Sequence, residues 1–204
     1  MPFIVILGCD GSGKSTVIER IVAKLEGKGQ HVVTGHWRPS FGGVSEKSLA
    51  AAEDPHGQKP RSVVGSLAKL VWISVSWWCG WLTGLRASAR KGVLIFDRCY
   101  LDLFVDPIRY RYGGPEWIAR IWCTLLPKPD VVLFLDADED TLLARKQEVE
   151  RVVLSHLRKK YIDLMGSMPN GFVIDATRPV EEVVAETWKL VFGNEYCNKE
   201  LSGD

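Results

Sequence analysis

A short apolar run that ends in a glycine-rich turn constrains this chain more than any other feature. Phe3–Leu7 is five apolar residues long, and Gly8-Cys9-Asp10-Gly11-Ser12-Gly13-Lys14-Ser15 follows directly, matching G-x-x-x-x-G-K-[ST]. Behind it, Lys14–Lys28 carries a helical pattern. Strand, turn and helix in that order is the setting in which this pattern grips phosphate. Glycines let the main chain curl until successive N–H groups point at phosphate oxygens. Lys14 reaches the β and γ oxygens, the Ser15 hydroxyl suits Mg²⁺, and the helix N-terminus adds positive potential. Thr16 is placed for the α-phosphate. Gly8, Asp10, Gly11, Ser12, Gly13, Lys14, Ser15 and Thr16 are therefore the candidate nucleotide-binding residues, with ATP and Mg²⁺ as the expected cofactors.

The rest of the chain alternates short apolar runs with helical patterns, the signature of β-α units around a parallel sheet. Strands are predicted at Phe3–Leu7, His31–Thr34, Val93–Phe96, Val131–Leu135 and Phe172–Ile174. Helices are predicted near Lys14–Lys28, Ser62–Arg90, Pro115–Leu125, Glu139–Lys146, Glu150–Met165 and Val180–Phe192. The expected fold class is α/β: a three-layer sandwich of the P-loop NTPase type, with five parallel strands and a lid segment. In such sheets ligands sit beyond the carboxyl ends of the strands. Three apolar runs end at Gly8, Asp97 and Asp136. With no repeat or composition break, residues 1–193 read as one domain, with a lid at about 145–158 and a frayed tail at 194–204.

Composition narrows the classes. At 204 residues the chain can bury roughly 70% of its unfolded surface, enough for one core without staples. Lys plus Arg number 26 against 25 Asp plus Glu, so the basic excess that a nucleic-acid partner calls for is missing. The five cysteines are odd in number and form no C-x-x-C, which fits a reduced cytoplasmic setting better than a disulfide or zinc framework. A GTPase should carry N-K-x-D; the nearest string, Asn198-Lys199-Glu200-Leu201, lacks the Asp. A small-molecule kinase leads.

Leu70–Leu85 disturbs that picture: 16 residues without a charge, including Trp72, Trp77, Trp78 and Trp81. As a helix it spans about 24 Å, short of the roughly 30 Å hydrocarbon core of a membrane. Packing on the sheet is the favoured reading. An aromatic wall for an acceptor, or a face for a partner or membrane, is the lesser one. Trp78, Trp81 and Leu85 fall on one stripe at helical spacing.

Together these residues resemble the thymidylate kinase family of nucleoside monophosphate kinases, and more closely its thymidylate kinase-like offshoots. The likeness extends to about Phe192. It rests on Asp10-Gly11-Ser12-Gly13-Lys14-Ser15-Thr16, on Asp97-Arg98-Cys99-Tyr100 beside the family's D-R-Y, on Leu133-Phe134-Leu135-Asp136 with Leu142 to Arg145-Lys146, and on Ile174-Asp175-Ala176-Thr177-Arg178-Pro179. The resemblance implies transfer of the ATP γ-phosphate to a dTMP-like acceptor, and a homodimer. It places Asp10 near the acceptor sugar, Arg145 in the lid and Arg178 beside adenine; a surface role for Arg178 stays open. On chemical grounds Asp97 is suited to hold Mg²⁺ through water or to orient the nucleophile. Arg98 is suited to bridge the acceptor phosphate and the transferring group with its planar fork. Lys14, Asp97, Arg98 and Arg145 are thus the catalytic candidates, and Ser15 and Asp97 the metal candidates. Lys146, Arg151 and Arg158 are further lid cations, although Arg158-Lys159-Lys160 reads as a solvated helix face.

The acceptor side departs from the family. Where R-E-P-G-G is usual, this chain has Trp37-Arg38-Pro39-Ser40-Phe41-Gly42-Gly43. Asp106-Pro107-Ile108-Arg109-Tyr110-Arg111 adds two arginines able to hold an anionic, ring-bearing acceptor or to cap and pack a helix. Asp10, Arg38, Arg98, Arg109 and Arg111 are the candidate acceptor contacts. The partner is a small-molecule phosphate acceptor, either a nucleoside monophosphate or a sugar or lipid-linked glycan. A non-catalytic ATP sensor is the remaining alternative.

Overall fold

The computed structural model describes residues 2–39, 59–145 and 150–200, with side chains to 193. Ser40, Phe41, Gly42, Gly43 and the lid candidate Lys146 lie outside the described residues. Five parallel strands, β1 (Phe3–Gly8), β2 (His31–His36), β3 (Gly92–Asp97), β4 (Val131–Asp136) and β5 (Gly171–Asp175), form one sheet in the order β2-β3-β1-β4-β5. The central strands are continuous apolar runs because both faces are covered: every residue of β1 is buried. The edge strands β2 and β5 are only partly buried.

Helix α1 (Lys14–Glu26) lays Val17, Ile18, Ile21 and Leu25 against the sheet. It packs beside α8 (Val180–Glu200), while α4 (Asp102–Val105) contacts α5 (Glu116–Cys123) and α7 (Arg151–Gly166), with α6 (Glu139–Arg145) also against α7. Right-handed crossovers with this strand order put α1 and α8 on one face and the α2 (Val63–Gly80), α5 and α7 connections on the other. Helical backbone continues to Glu200, past the expected stop at Phe192. The interrupting Gly193 costs a helix only about 1 kcal/mol.

One continuous helix spans Val63–Lys91: α2 (Val63–Gly80), a π-helical turn (Trp81–Leu85) and α3 (Arg86–Lys91). Ser62 caps it by accepting from the Gly65 N–H at 3.2 Å. Its inner face packs on the sheet, with Leu70, Ile73 and Trp77 buried. Trp77 lies against Phe96 at 5.1 Å, Tyr100 at 5.5 Å and Phe3 at 5.9 Å between ring centroids. Val64, Val71, Val75, Trp78 and Leu82 are exposed along the outer face. The expected Trp78, Trp81 and Leu85 stripe does not form. Trp78 stays outside, whereas Trp81 and Leu85 pack on the core. Trp78 is instead turned toward the end of α5, where its Nε1 donates to the Leu125 carbonyl at 3.1 Å.

The short helix α4 escapes sequence prediction because four residues carry no readable period. The crossover connections change direction between β1 and β3, where Ile6 pairs with Asp97 in parallel register. That is the crevice in which open α/β sheets hold ligands.

Candidate active site

Two loops meet in this crevice. The first leaves β1 at Gly8 and curls through Gly11 and Gly13, at φ +88° and +85°, backbone that favours glycine. Gly8 is required for a different reason: a Cβ there would strike the Ser12 hydroxyl. Helix α1 starts at Gly13 with no side-chain cap, which leaves its first N–H groups to a ligand. Lys14 is buried and bends back over the loop, donating to the Gly8 and Cys9 carbonyls at 2.9 Å each. Burial, aided by the nearby Arg98 charge, brings its ammonium down to about 8.

The second loop leaves β3 at Asp97. Arg98 sits at φ +64°, its N–H donating to the Ile6 carbonyl at 3.0 Å, which ties it to the strand that carries the phosphate loop. Its Nη2 donates to Asp10 Oδ1 at 2.6 Å, and Arg109 donates to the other oxygen of the same carboxylate. Burial works against ionising Asp10, but Arg98, Arg109 and Lys14 outweigh it and hold the carboxyl well below the usual range. Asp97 behaves likewise: His36, Lys14 and Arg98 overcome burial and lower it. One of its oxygens, Oδ1, is buried without a partner, while Oδ2 lies 3.5 Å from His36 Nδ1. An unmet carboxylate oxygen at the mouth of a phosphate loop fits a metal-bound water. Ser15 and Asp97 are thus the residues suited to Mg²⁺.

Behind Arg98 lies a set of contacts that no motif signals. Asp102 accepts from Arg98 Nη1 at 3.0 Å, from the Tyr110 hydroxyl at 3.0 Å and from the Tyr161 hydroxyl at 2.8 Å. Each is one residue on a separate element, and only their meeting in space reveals them.

Beside these contacts the Trp37 and Tyr110 rings stack with centroids 5.0 Å apart and planes 11° from parallel. Lys69 lies over both rings, and Arg38 over Trp37 and Trp72. Burial, then the charges of Arg61, Arg111 and Arg38, pull the Lys69 ammonium down to about 8. Among the described residues the non-glycine positions at positive φ are Trp37, Arg98 and Arg111. Strained backbone of this kind gathers at working sites.

The structure thus brings Asp10, Lys14, Asp97, Arg98 and Arg109 together. Arg145 approaches from α6, 3.4 Å from the Gly11 carbonyl. Arg38 and Arg111 gather instead around Lys69, and Arg111 Nε donates to the Lys59 carbonyl. Arg178 pairs with Glu186 and Asp175. Arg151 pairs with Asp140 at the surface. Arg158 corrects the solvated-face reading. It makes two parallel bonds to Asp136, at 2.8 and 2.9 Å, and a third contact to Glu139 at 2.7 Å, clamping α7 to β4 and α6. A charge run hides such a pair because its partners stand 22 and 19 residues away.

Residues 6–187 match the family model described as thymidylate kinase. The chain belongs to the thymidylate kinase family. A probable thymidylate kinase of Pyrobaculum aerophilum is 29% identical, over 94% of this chain and 96% of that protein. A thymidylate kinase of Bifidobacterium longum subsp. infantis is also 29% identical, over 89% and 82%. The crystal structure of the Ehrlichia chaffeensis thymidylate kinase superimposes with a TM-score of 0.63 at 20% identity, over 93% of this chain and 98% of that one, and bears on the fold alone. As a thymidylate kinase family member the chain is a nucleotide kinase, a phosphotransferase acting on small molecules.

Proposed function

We propose that this kinase moves the γ-phosphoryl group of ATP to a nucleoside monophosphate of the dTMP type, with Mg²⁺. One observation carries the reading: Arg98, launched from the end of β3, reaches the phosphate loop itself, 2.6 Å from Asp10. Its fork therefore stands where donor and acceptor phosphates must meet. A phosphate oxygen of the acceptor attacks the γ-phosphorus, the bond to the β,γ-bridging oxygen breaks, and ADP leaves with that electron pair. A phosphate dianion needs no general base, so the work is positioning and charge stabilisation. Lys14 exchanges the Gly8 and Cys9 carbonyls for β and γ oxygens. Ser15 and Asp97 would hold Mg²⁺, which would supply neutralisation of the polyphosphate charge. Arg98 exchanges Asp10 for phosphate, and Arg145 approaches from α6 to cover the charge in flight and exclude water.

The Trp37–Tyr110 stack favours a second reading, a sugar-bearing acceptor lying on an aromatic face. A panel of nucleoside monophosphates and sugars, scored by ADP release above the ATP-only background, separates the two. Strong stimulation by dTMP supports the first, stimulation by sugars alone supports the second, and ATP binding without stimulation by any acceptor leaves a sensor. We also infer a homodimer, formed through Val64, Val71, Val75, Trp78 and Leu82 on the outer face of the long helix. Solution mass should be twice that of the chain and fall to monomer in Leu82→Glu. A cytoplasmic location accords with the free thiols of Cys9, Cys79, Cys99 and Cys123.

A further inference from the structure

Asp102 takes no part in the steps above, yet it is the most completely enclosed carboxylate among the described residues, at 0% exposure. Burying a carboxyl group this deeply is costly unless its oxygens are met and a counter-charge is at hand. Both conditions hold. Arg98 Nη1 donates to Oδ2 at 3.0 Å, Tyr110 to the same oxygen at 3.0 Å, and Tyr161 to Oδ1 at 2.8 Å. The phenols are themselves fixed. Tyr110 stacks on Trp37, and Tyr161 stacks on Phe134 of β4 with centroids 4.6 Å apart. Asp102 is thus anchored from the acceptor loop, from α7 and through it from the sheet.

Arg98 is held by two carboxylates of different character. Asp10 takes Nη2 on the cleft side and is partly exposed, with 18% of its side chain accessible; Asp102 takes Nη1 and is sealed. An incoming phosphate can compete for the first edge but not for the second. We propose that Asp102 is the positioning residue for Arg98: it keeps one edge of the guanidinium tied while the other exchanges Asp10 for the acceptor and transferring phosphates. The strained backbone at φ +64° makes this necessary, since Arg98 lacks a regular element of its own to aim it. Asp102 touches no reacting atom and acts through Arg98 alone. The proposal rests on the phosphotransfer reading of Arg98.

A double-mutant cycle tests it. Asp102→Asn, Arg98→Ala and the double variant are compared for acceptor-dependent kcat and for ATP affinity. Asp102→Asn should lower kcat by about tenfold or more while leaving ATP affinity within about twofold, and should add less than about twofold once Arg98 is gone. A merely structural role would instead give losses that multiply, or would weaken ATP binding as much as turnover; either result overturns the proposal. So does a parental kcat in Asp102→Asn. Where Asp102→Asn does not fold, Tyr110→Phe enters the same cycle, since the Tyr161 hydroxyl also accepts from Arg98 Nη1 at 3.3 Å and so touches Arg98 directly. It deletes one donor to Asp102 and keeps the ring stack, and its several-fold loss must likewise vanish in the Arg98→Ala background. An unsubstituted protein that gives no acceptor-dependent turnover overturns the kinase reading, and the proposal with it; multiplying losses in an active enzyme overturn the proposal alone.

Discussion

The halves of the cleft proposed for donor and acceptor are built on different principles. The donor half is main chain: glycines at φ +88° and +85°, an uncapped helix start, and a lysine stored on two loop carbonyls. The acceptor half is side chain: the Trp37–Tyr110 stack, the paired arginines on Asp10, and the enclosed Asp102, drawn from elements far apart in sequence. A backbone nest recognises any polyphosphate, because every residue contributes the same N–H group. Side chains gathered from separate elements can discriminate, and they can change without disturbing the nest.

The largest way to break this contrast is Lys14→Ala, which should cost about 10²–10³ in turnover, as losing one preorganised donor does, with every acceptor affected alike. Steady-state assays across two acceptors check this; an acceptor-dependent loss would dissolve the boundary between the halves. Next, Trp37→Ala should raise acceptor KM about tenfold, on the scale of one lost aromatic contact, and leave ATP affinity within about twofold by calorimetry.

The pH dependence of nucleotide binding should be of comparable size. With Lys14 lowered from 10.5 to about 8, its charge is present below that pH and lost above it. ATP affinity should be level near pH 7 and weaken toward tenfold per unit above 8, with proton uptake on binding. The stability contribution of the same group runs the other way. The folded state releases this proton before the unfolded state does, so the contribution rises from about pH 8 to 10.5. Smallest of all, Arg178→Ala should change ATP KM by no more than about twofold, since that side chain is engaged with Glu186 and Asp175 in a half-exposed pair.

The same division explains what could be read in advance. All five strands follow from apolar runs, and the phosphate loop from a contiguous string whose spacing is itself the chemistry. Asp97 and Arg98 are legible because they terminate a strand. Asp102 and Tyr161 are not, because a lone Asp in a four-residue helix and a lone Tyr at mid-helix, 59 positions apart, look like any others until the chain between them is folded. Arg158 was hidden by its neighbours Lys159 and Lys160. The tryptophans divided by face: composition marks the segment as apolar, but only packing separates buried Trp77 from exposed Trp72 and Trp78.

The π turn at Trp81–Leu85 sets the phase with which the long helix is delivered into β3. Just past α3 the chain must enter the sheet at Gly92, where any Cβ would strike the His31 carbonyl. The wide turn absorbs one surplus residue: were 81–85 wound as unbroken α-helix with all five residues kept, everything beyond it would rotate by about 100°. Asp97 and Arg98 lie downstream of that joint, so the way one surplus residue is wound, far from the phosphate loop, helps to decide which way β3 faces.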